Sequence, residues 1–497
     1  MRPIARSALL VLGLSGALAG GLLAGCTVGP DYERPDVELP EAWREPGATQ
    51  ETASLADTPW WELFQDPELQ SLIEIALEEN RDLRIAVERI EEARALYGFT
   101  KADLFPKVDA VGQAGKVGFS RNGTLPPPPG EDRDSSIYSV GASVFWELDF
   151  FGRIRRATEA QQAILFATEE ARRAVVLTLV SEVARVYVEL RDLDARLQIS
   201  RDTLQSRIQY VALARDRFEG GVTSELDWRQ AEAEQHRTAS FVHAFEQLVE
   251  QKENELSVLV GRNPGPLARG LAVSDMPLPP AIPAGLPSDL VARRPDLRQA
   301  EELLVATNAR VGEATASLYP NITLTGSYGW ESTELDNLLG GRSITWSALG
   351  NIAQPIFNAG QNRSAIEAAE SRWRQAVQAW QQAILVALRE VNDALVGYRK
   401  AGDRRIDEGS RVQAEQQVLE LSELRYRGGV SDYLEVLDAQ RSLFSAQLDE
   451  ATAVRDQLVS FIQLYKALGG GWPQAPEAGP EAAAAPQAEG ETTPAGS

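Results

Sequence analysis

Residues 217–232 read RFEGGVTSELDWRQAE and residues 425–440 read RYRGGVSDYLEVLDAQ, the same glycine-interrupted helical phrase at an offset of 208. The offset persists on both sides: Gly152 answers Gly360, Glu182-Val183 answers Glu390-Val391, and Gly261 answers Gly469. Upstream it is 214, with Asp82-Leu83-Arg84 and Ala86 matched by Asp296-Leu297-Arg298 and Ala300, and Phe105-Pro106 by Tyr319-Pro320. Self-similarity at a long fixed offset means one structural unit used twice. The ordered chain therefore divides into two units, 59–264 and 287–470, joined by a Pro-rich linker at 265–286. The change of offset falls between Pro106 and Gly152, in a loop-bearing segment.

Each unit has the same order of elements. A helix from about Pro67 to Asp103 runs into Phe105-Pro106, where proline ends it. Alternating segments follow: in Ile137 to Leu148, Tyr138, Val140, Ala142, Val144 and Trp146 share one face and Ser139, Gly141 and Ser143 the other. Its partner begins near Lys107, and the loop between them carries Pro126 to Pro129. The second unit repeats the pair as Asn321 to Trp330 and Ser343 to Phe357. About ten residues is the span of a tilted transmembrane strand, although a soluble hairpin on a core shows the same alternation. Four strands cannot close a barrel alone, but they can supply a share of one, since an open edge is not tolerated in a bilayer.

The helices that follow exceed what a globular core needs. Arg153 to Glu219 contains no Gly or Pro, and a continuous helix there reaches on the order of 100 Å at ~1.5 Å per residue. Val222 to Val260 and Val430 to Leu468 extend the pattern, and Val176, Leu179, Val183, Val186 and Leu190 step by three and four, as in a helix packed sideways on others. The pairs Gly220-Gly221 and Gly428-Gly429 interrupt these runs, which suits the tips of antiparallel hairpins better than a kink, because glycine accepts the positive φ of a tight reversal.

The chain carries 49 basic and 72 acidic residues, a balance that disfavours a nucleic-acid partner and suits a cationic or uncharged cargo, or serves solubility alone. Residues 1–25 have Arg2 and Arg6 ahead of an apolar run and read as a secretory signal, whose removal leaves 47 basic against 72 acidic residues. Cys26, the single cysteine, closes the sequence Leu23-Ala24-Gly25-Cys26 and excludes any intrachain disulfide. That sequence resembles the bacterial lipobox, which implies a lipidated Cys26 anchored in outer-membrane lipid and, with Thr27 next, sorting to the outer membrane. Residues 26–58 form a Pro-rich extended leader, and 471–497 are low-complexity and read as a disordered tail.

Enzyme signatures are missing. His236 and His243 lie seven residues apart, about 10 Å along one helix face and too far for one metal, and no phosphate loop or nucleophile elbow occurs. No cofactor is expected. The pair that stands out is Glu435 and Asp438, at i and i+3 on one helix face beside the second glycine pair. The first copy has Asp227 opposite Glu435 but Gln230 opposite Asp438, so the second tip is the more acidic. Such a pair is an ordinary solvated surface unless several chains bring it around one axis, where it becomes a ring.

Taken together, these features resemble the TolC-like outer-membrane factors, in particular the lipoprotein branch of drug-efflux systems. The resemblance rests on Trp60-Trp61, Phe64, Asp66-Pro67 and Leu69 at the start, and on Arg425-Tyr426, Gly429 and Val436-Leu437-Asp438-Ala439-Gln440 at the tip. It implies a mainly α fold with a small β part: long antiparallel coiled-coil hairpins and four transmembrane strands per chain, forming a 12-stranded barrel and an α-helical periplasmic tunnel in a homotrimer. It further implies a passive exit duct of a tripartite efflux system, served by a periplasmic adaptor and an inner-membrane pump. By the same resemblance Tyr426 links to Asp227 of a neighbouring chain in the closed state, Glu435 and Asp438 are constriction acids, and Ser431 stands where some members carry a latch arginine. Three other readings compete: a type I secretion duct, a lipid-anchored periplasmic spacer with no channel, and an envelope hydrolase using Glu435 with Asp438.

Overall fold

The computed structural model describes residues 27–44, 55, 59–120, 122–124, 128, 133–278, 285 and 287–470. Cys26, the signal segment, the tail and most of the Pro126 to Pro129 loop lie outside the described residues. The elements are α1 (Trp60–Leu63), α2 (Pro67–Glu79), α3 (Arg81–Ala102), β1 (Lys107–Gly118), β2 (Asp134–Leu148), α4 (Arg153–Glu219), α5 (Glu225–Leu259), α6 (Asp289–Arg293), α7 (Pro295–Ala316), β3 (Asn321–Ser332), β4 (Ile344–Ala353), α8 (Gln361–Arg427) and α9 (Tyr433–Ala467). Both long helices have 67 residues and both return helices have 35.

The helix expected from Pro67 to Asp103 is two helices broken at Asn80. The Asn80 carboxamide accepts the Leu83 amide at 2.9 Å and donates to the Leu259 carbonyl at 2.8 Å, so its side chain caps α3 and fastens the break to the end of α5. The return helices begin three residues later than the apolar runs, at Glu225 and Tyr433. Ser224 is the reason in the first copy, since its hydroxyl accepts the Leu226 amide. Strand β4 ends at Ala353 rather than Phe357 because Pro355 has no amide to give the ladder.

The strands form one antiparallel sheet in the order β1-β2-β3-β4. Register puts Val140 opposite Trp330, Ala142 opposite Tyr328, Tyr328 opposite Trp346 and Val108 opposite Val144. Residues paired across a ladder share a face, so one face is apolar and aromatic. The other carries Ser143 with Ser327 and Thr323 with Glu147 and Asn351. Gly141 and Gly329 oppose each other where β2 and β3 approach so closely that a Cβ on Gly329 would lie 2.4 Å from the Val140 carbonyl oxygen. Both outer strands, β1 and β4, have an unpaired edge.

Helix packing repeats with the duplication. Helix α3 packs on α4 and α7 on α8; α7 also packs on α4, joining the two units. The cores lie along these seams, one around Ile73, Val183, Tyr187 and Leu256, the other around Leu297, Leu304, Trp380 and Tyr465. Asp66 sits where the first core meets the linker. It is buried and accepts from the Glu68 and Leu69 amides, the Tyr187 hydroxyl at 3.0 Å and the Leu271 amide at 2.8 Å.

The leader is a strap along α7. Val28 bonds the Phe151 carbonyl at the base of the sheet, Asp31 pairs with the buried Arg156 at 2.6 Å, and Tyr32 and Arg34 both engage Glu301. Arg44 reaches Asn392 on α8. Among the described residues no helix is long and apolar enough to cross a membrane.

Candidate functional site: the paired hairpin tips

Each long helix ends in a six-residue reversal built from backbone hydrogen bonds. Val222 N–H donates to the Arg217 carbonyl and Gly221 N–H to the Phe218 carbonyl; Val430 to Arg425 and Gly429 to Tyr426 repeat them. This is the pattern of a left-handed helix terminus. Only the second glycine of each pair needs its special conformation: Gly221 and Gly429 have φ of 69°, whereas Gly220 and Gly428 are right-handed caps at −77° and −74°. The four glycines do mark the tips, but the positive φ is confined to two.

The tips lie side by side and share a small core of Ala214, Ala231, Tyr426, Tyr433, Val436 and Leu437. Tyr426 is buried there, its ring 5.7 Å from that of Tyr433, and the Arg217 guanidinium lies 4.5 Å above its centroid. Such a cation over an aromatic face is attracted by the ring quadrupole. Among the described residues the Tyr426 hydroxyl has no hydrogen-bond partner, and neither do the Ser431 and Thr223 hydroxyls, which occupy equivalent positions in the two copies. Burial raises the Tyr426 phenol, the Arg217 charge opposes this, and the Asp227 charge adds to it. Asp227 thus acts on Tyr426 through its field and not through an intrachain hydrogen bond. Its own carboxyl is raised by burial and by Asp432 from the other tip, against Arg217.

The structure places Glu435 and Asp438 on one face of α9, as their spacing predicts. Both are exposed. Glu435 is held by Arg425 across its own hairpin, at 3.2 Å from Nε and 3.4 Å from Nη2. Asp438 acts by its charge on Arg441, one turn along α9. Sequence reasoning missed Arg217, Tyr433 and Asp432. The signal was present in the repeat: Arg217 aligns with Arg425, and Asp432-Tyr433 lies inside the second tip phrase. What was illegible is that the tips would be neighbours. Among the described residues, no group of three or more His, Cys, Asp or Glu side chains is placed to hold a metal ion.

An amphipathic four-stranded sheet standing on paired helical hairpins, with acids at the hairpin tips, defines the subunit of a membrane channel with a helical stalk. Comparison with known proteins gives the same answer. The sequence profile "Outer membrane efflux protein" matches residues 72–262 and 286–470, one match to each copy. The toluene efflux pump outer membrane protein TtgI of Pseudomonas putida is 38% identical over 463 residues, 91% of this chain and 96% of that protein. The probable outer membrane lipoprotein SilC of Salmonella typhimurium is 35% identical over 456 residues, covering 91% and 97% of the two chains. The crystal structure of the open state of the MtrE outer membrane channel of Neisseria gonorrhoeae superposes with a TM-score of 0.81 at 32% identity, over 90% of this chain and 98% of that one. The chain belongs to the outer membrane efflux protein family.

Proposed function

We propose that this chain is one third of a trimeric exit duct in the outer membrane, closed at its periplasmic end by the paired tips and opened by partner proteins. The single observation that carries the ring is a missing contact. Within the chain α7 packs on both α4 and α8, and β2 pairs with β3, so the second copy docks on the first. The first copy has no counterpart among the described residues: there the outer side of α3 and the outer edge of β1 are open, as are α8 and the edge of β4. A contact between unlike surfaces closes into a ring when its rotation allows.

Exposure along the equivalent helices supports this. Leu177 on α4 is 8% exposed under α7, whereas Leu385, its equivalent on α8, is 60% exposed. Leu96 and Phe99 on α3 are exposed as well, and we assign them to the seam against α8 of the next chain. Transferring the β2–β3 register by the two repeat offsets places Gly350 opposite Ala114 of the next chain. Three such joins give twelve strands, apolar outside and polar inside, which is the condition for a barrel in lipid.

The leader supports the anchor. Thr27 packs on Gly152, directly below β2, where a Cβ would lie 2.7 Å from its methyl group. This contact supports a lipid anchor on the preceding residue, Cys26, in keeping with the lipoprotein relative. The duct is passive and serves a periplasmic adaptor and an inner-membrane pump. Its cargo class is small uncharged or cationic compounds: one relative is named for toluene, and three copies of Glu435 and Asp438 give six carboxylates to the constriction, of which the three of Glu435 are paired with Arg425. The spacer reading has no use for an amphipathic sheet.

Planar-bilayer recording of the purified full-length protein tests the channel. The expected record is a mostly closed, cation-selective pore whose selectivity weakens in Glu435→Gln with Asp438→Asn. A trimer that never conducts, under any voltage, rules out this reading.

A further inference from the structure

About 13 residues above the first tip, on the order of 20 Å along α4, the groove between the two hairpins carries charge opposite to that of the chain as a whole. A cavity of about 130 Å³ opens there, lined by Arg207 of α4, Glu234 and Arg237 of α5, and Arg441 and Ser445 of α9. Its floor is the edge-to-face pair Phe241 and Phe444, 5.6 Å apart.

Three guanidinium groups converge on one carboxylate. Glu234 Oε1 accepts from Arg441 Nε at 2.8 Å, and Arg237 lies 3.7 Å from the same oxygen. Arg207 faces Glu234 Oε2 at 3.5 Å, a contact of charge, and its Nη1 has no hydrogen bond. Burial alone would raise the Glu234 carboxyl, but the Arg441 hydrogen bond and the charges of Arg441, Arg207 and Arg237 outweigh it and hold the group below its usual range. Guanidinium groups stay protonated in proteins. Three positive charges against one negative leave an excess that the exposed Asp438, whose field reaches Arg441, does not cancel.

Two donors are left without acceptors in this field. Arg207 is buried to 3% exposure, and Tyr433 to 1% with an unpartnered hydroxyl on which Arg207, Glu234 and Arg441 all act. Buried polar groups are ordinarily satisfied, and each exception calls for a cause. The duplication shows that the coiled coil does not impose this set. The second copy has Glu415 in place of Arg207 and Ser442 in place of Glu234, and the first copy has Ala233 where Arg441 stands. The charges belong to this one seam.

We propose that the cavity is a binding site for one small oxyanion of the phosphate or sulfate class per chain, held by Arg207, Arg237 and Arg441. Its volume corresponds to roughly four waters at ~30 Å³ each, room for a tetrahedral anion and one or two waters. Guanidinium forks match oxyanion geometry and bind it through paired N–H donors. A bound anion ties α4, α5 and α9 together across the groove that separates the hairpins.

Isothermal titration calorimetry of the full-length protein in detergent, with inorganic phosphate at constant ionic strength in chloride, tests the site. Saturable binding near one phosphate per chain is expected, weakened at least tenfold in Arg237→Gln. The Arg237 side chain is 59% exposed, so this variant keeps the fold, and an unchanged melting temperature in phosphate-free buffer verifies it. Tyr433→Phe is expected to weaken binding less. Absence of saturable heat, equal binding by Arg237→Gln, or displacement of phosphate by equimolar chloride each overturns the proposal.

Discussion

Channels carrying Tyr426→Phe together with Asp227→Ala open at least ten times as often as the parent protein in planar bilayers. The Tyr426 hydroxyl is buried and has no partner among the described residues, and leaving such a group unpaired costs about 1–3 kcal/mol. The family resemblance assigns the acceptor to Asp227 of a neighbouring chain, and a hydrogen bond to a charged group contributes about 1.5–3 kcal/mol. Since ~1.4 kcal/mol is a factor of ten, each such bond lost shifts the closed-to-open ratio by roughly ten- to hundredfold, and a trimer loses one from every chain. Phenylalanine retains the tilted ring contact with Tyr433 and the face presented to Arg217, so the tip core survives. Closed channels in the double variant would show that the hydroxyl does not hold the latch. Ser431 enters the same test, because its unpartnered hydroxyl can contribute only a neutral hydrogen bond where an arginine would contribute a charged one.

The second large effect is on stability. Asp66→Ala removes a cap, which costs about 1 kcal/mol, and takes the acceptor from the half-buried Leu271 amide and from the buried Tyr187 hydroxyl, which keeps only the Gly270 amide it accepts, at about 1–2 kcal/mol each, the lower part of the range for unsatisfied groups. A net loss of roughly 3–5 kcal/mol follows, in the range diagnostic of a broken buried network. Unfolding followed by circular dichroism in detergent is expected to show a midpoint lower by roughly 3–5 °C. Asp66→Asn keeps one carbonyl acceptor and falls between the two. A loss below ~1 kcal/mol in the alanine variant would mean that water replaces all four contacts. Asp66 fastens the start of the first copy to α4 and to the linker through Leu271, so the damage is placed far from the tips, and the two predictions are independent.

The long helices were legible because only glycine and proline could end them. The run from Arg153 to Glu219 has neither, and the helix has those bounds. The strand faces were legible for a similar reason, since a period of two admits one assignment of sides. Asn80 was read through because asparagine is tolerated within helices; its capping bond to Leu83 depends on the end of α5 lying beside it. The pairing of Glu435 is not legible because Arg425 is ten residues away and becomes a neighbour only when the hairpin folds back. Arg217 on Tyr426 needed one further step, the placing of two tips together that are 208 residues apart in sequence.

The ring requires the first copy of one chain to receive the second copy of the next. Disulfide cross-linking of Ala114→Cys with Gly350→Cys measures this directly, with each single variant as a control. The ring predicts that oxidation of the double variant, purified from membranes, gives chains joined in dimers and trimers on denaturing gels, reversed by reductant and absent from both controls. A double variant that stays monomeric while its strands remain folded would contradict the ring.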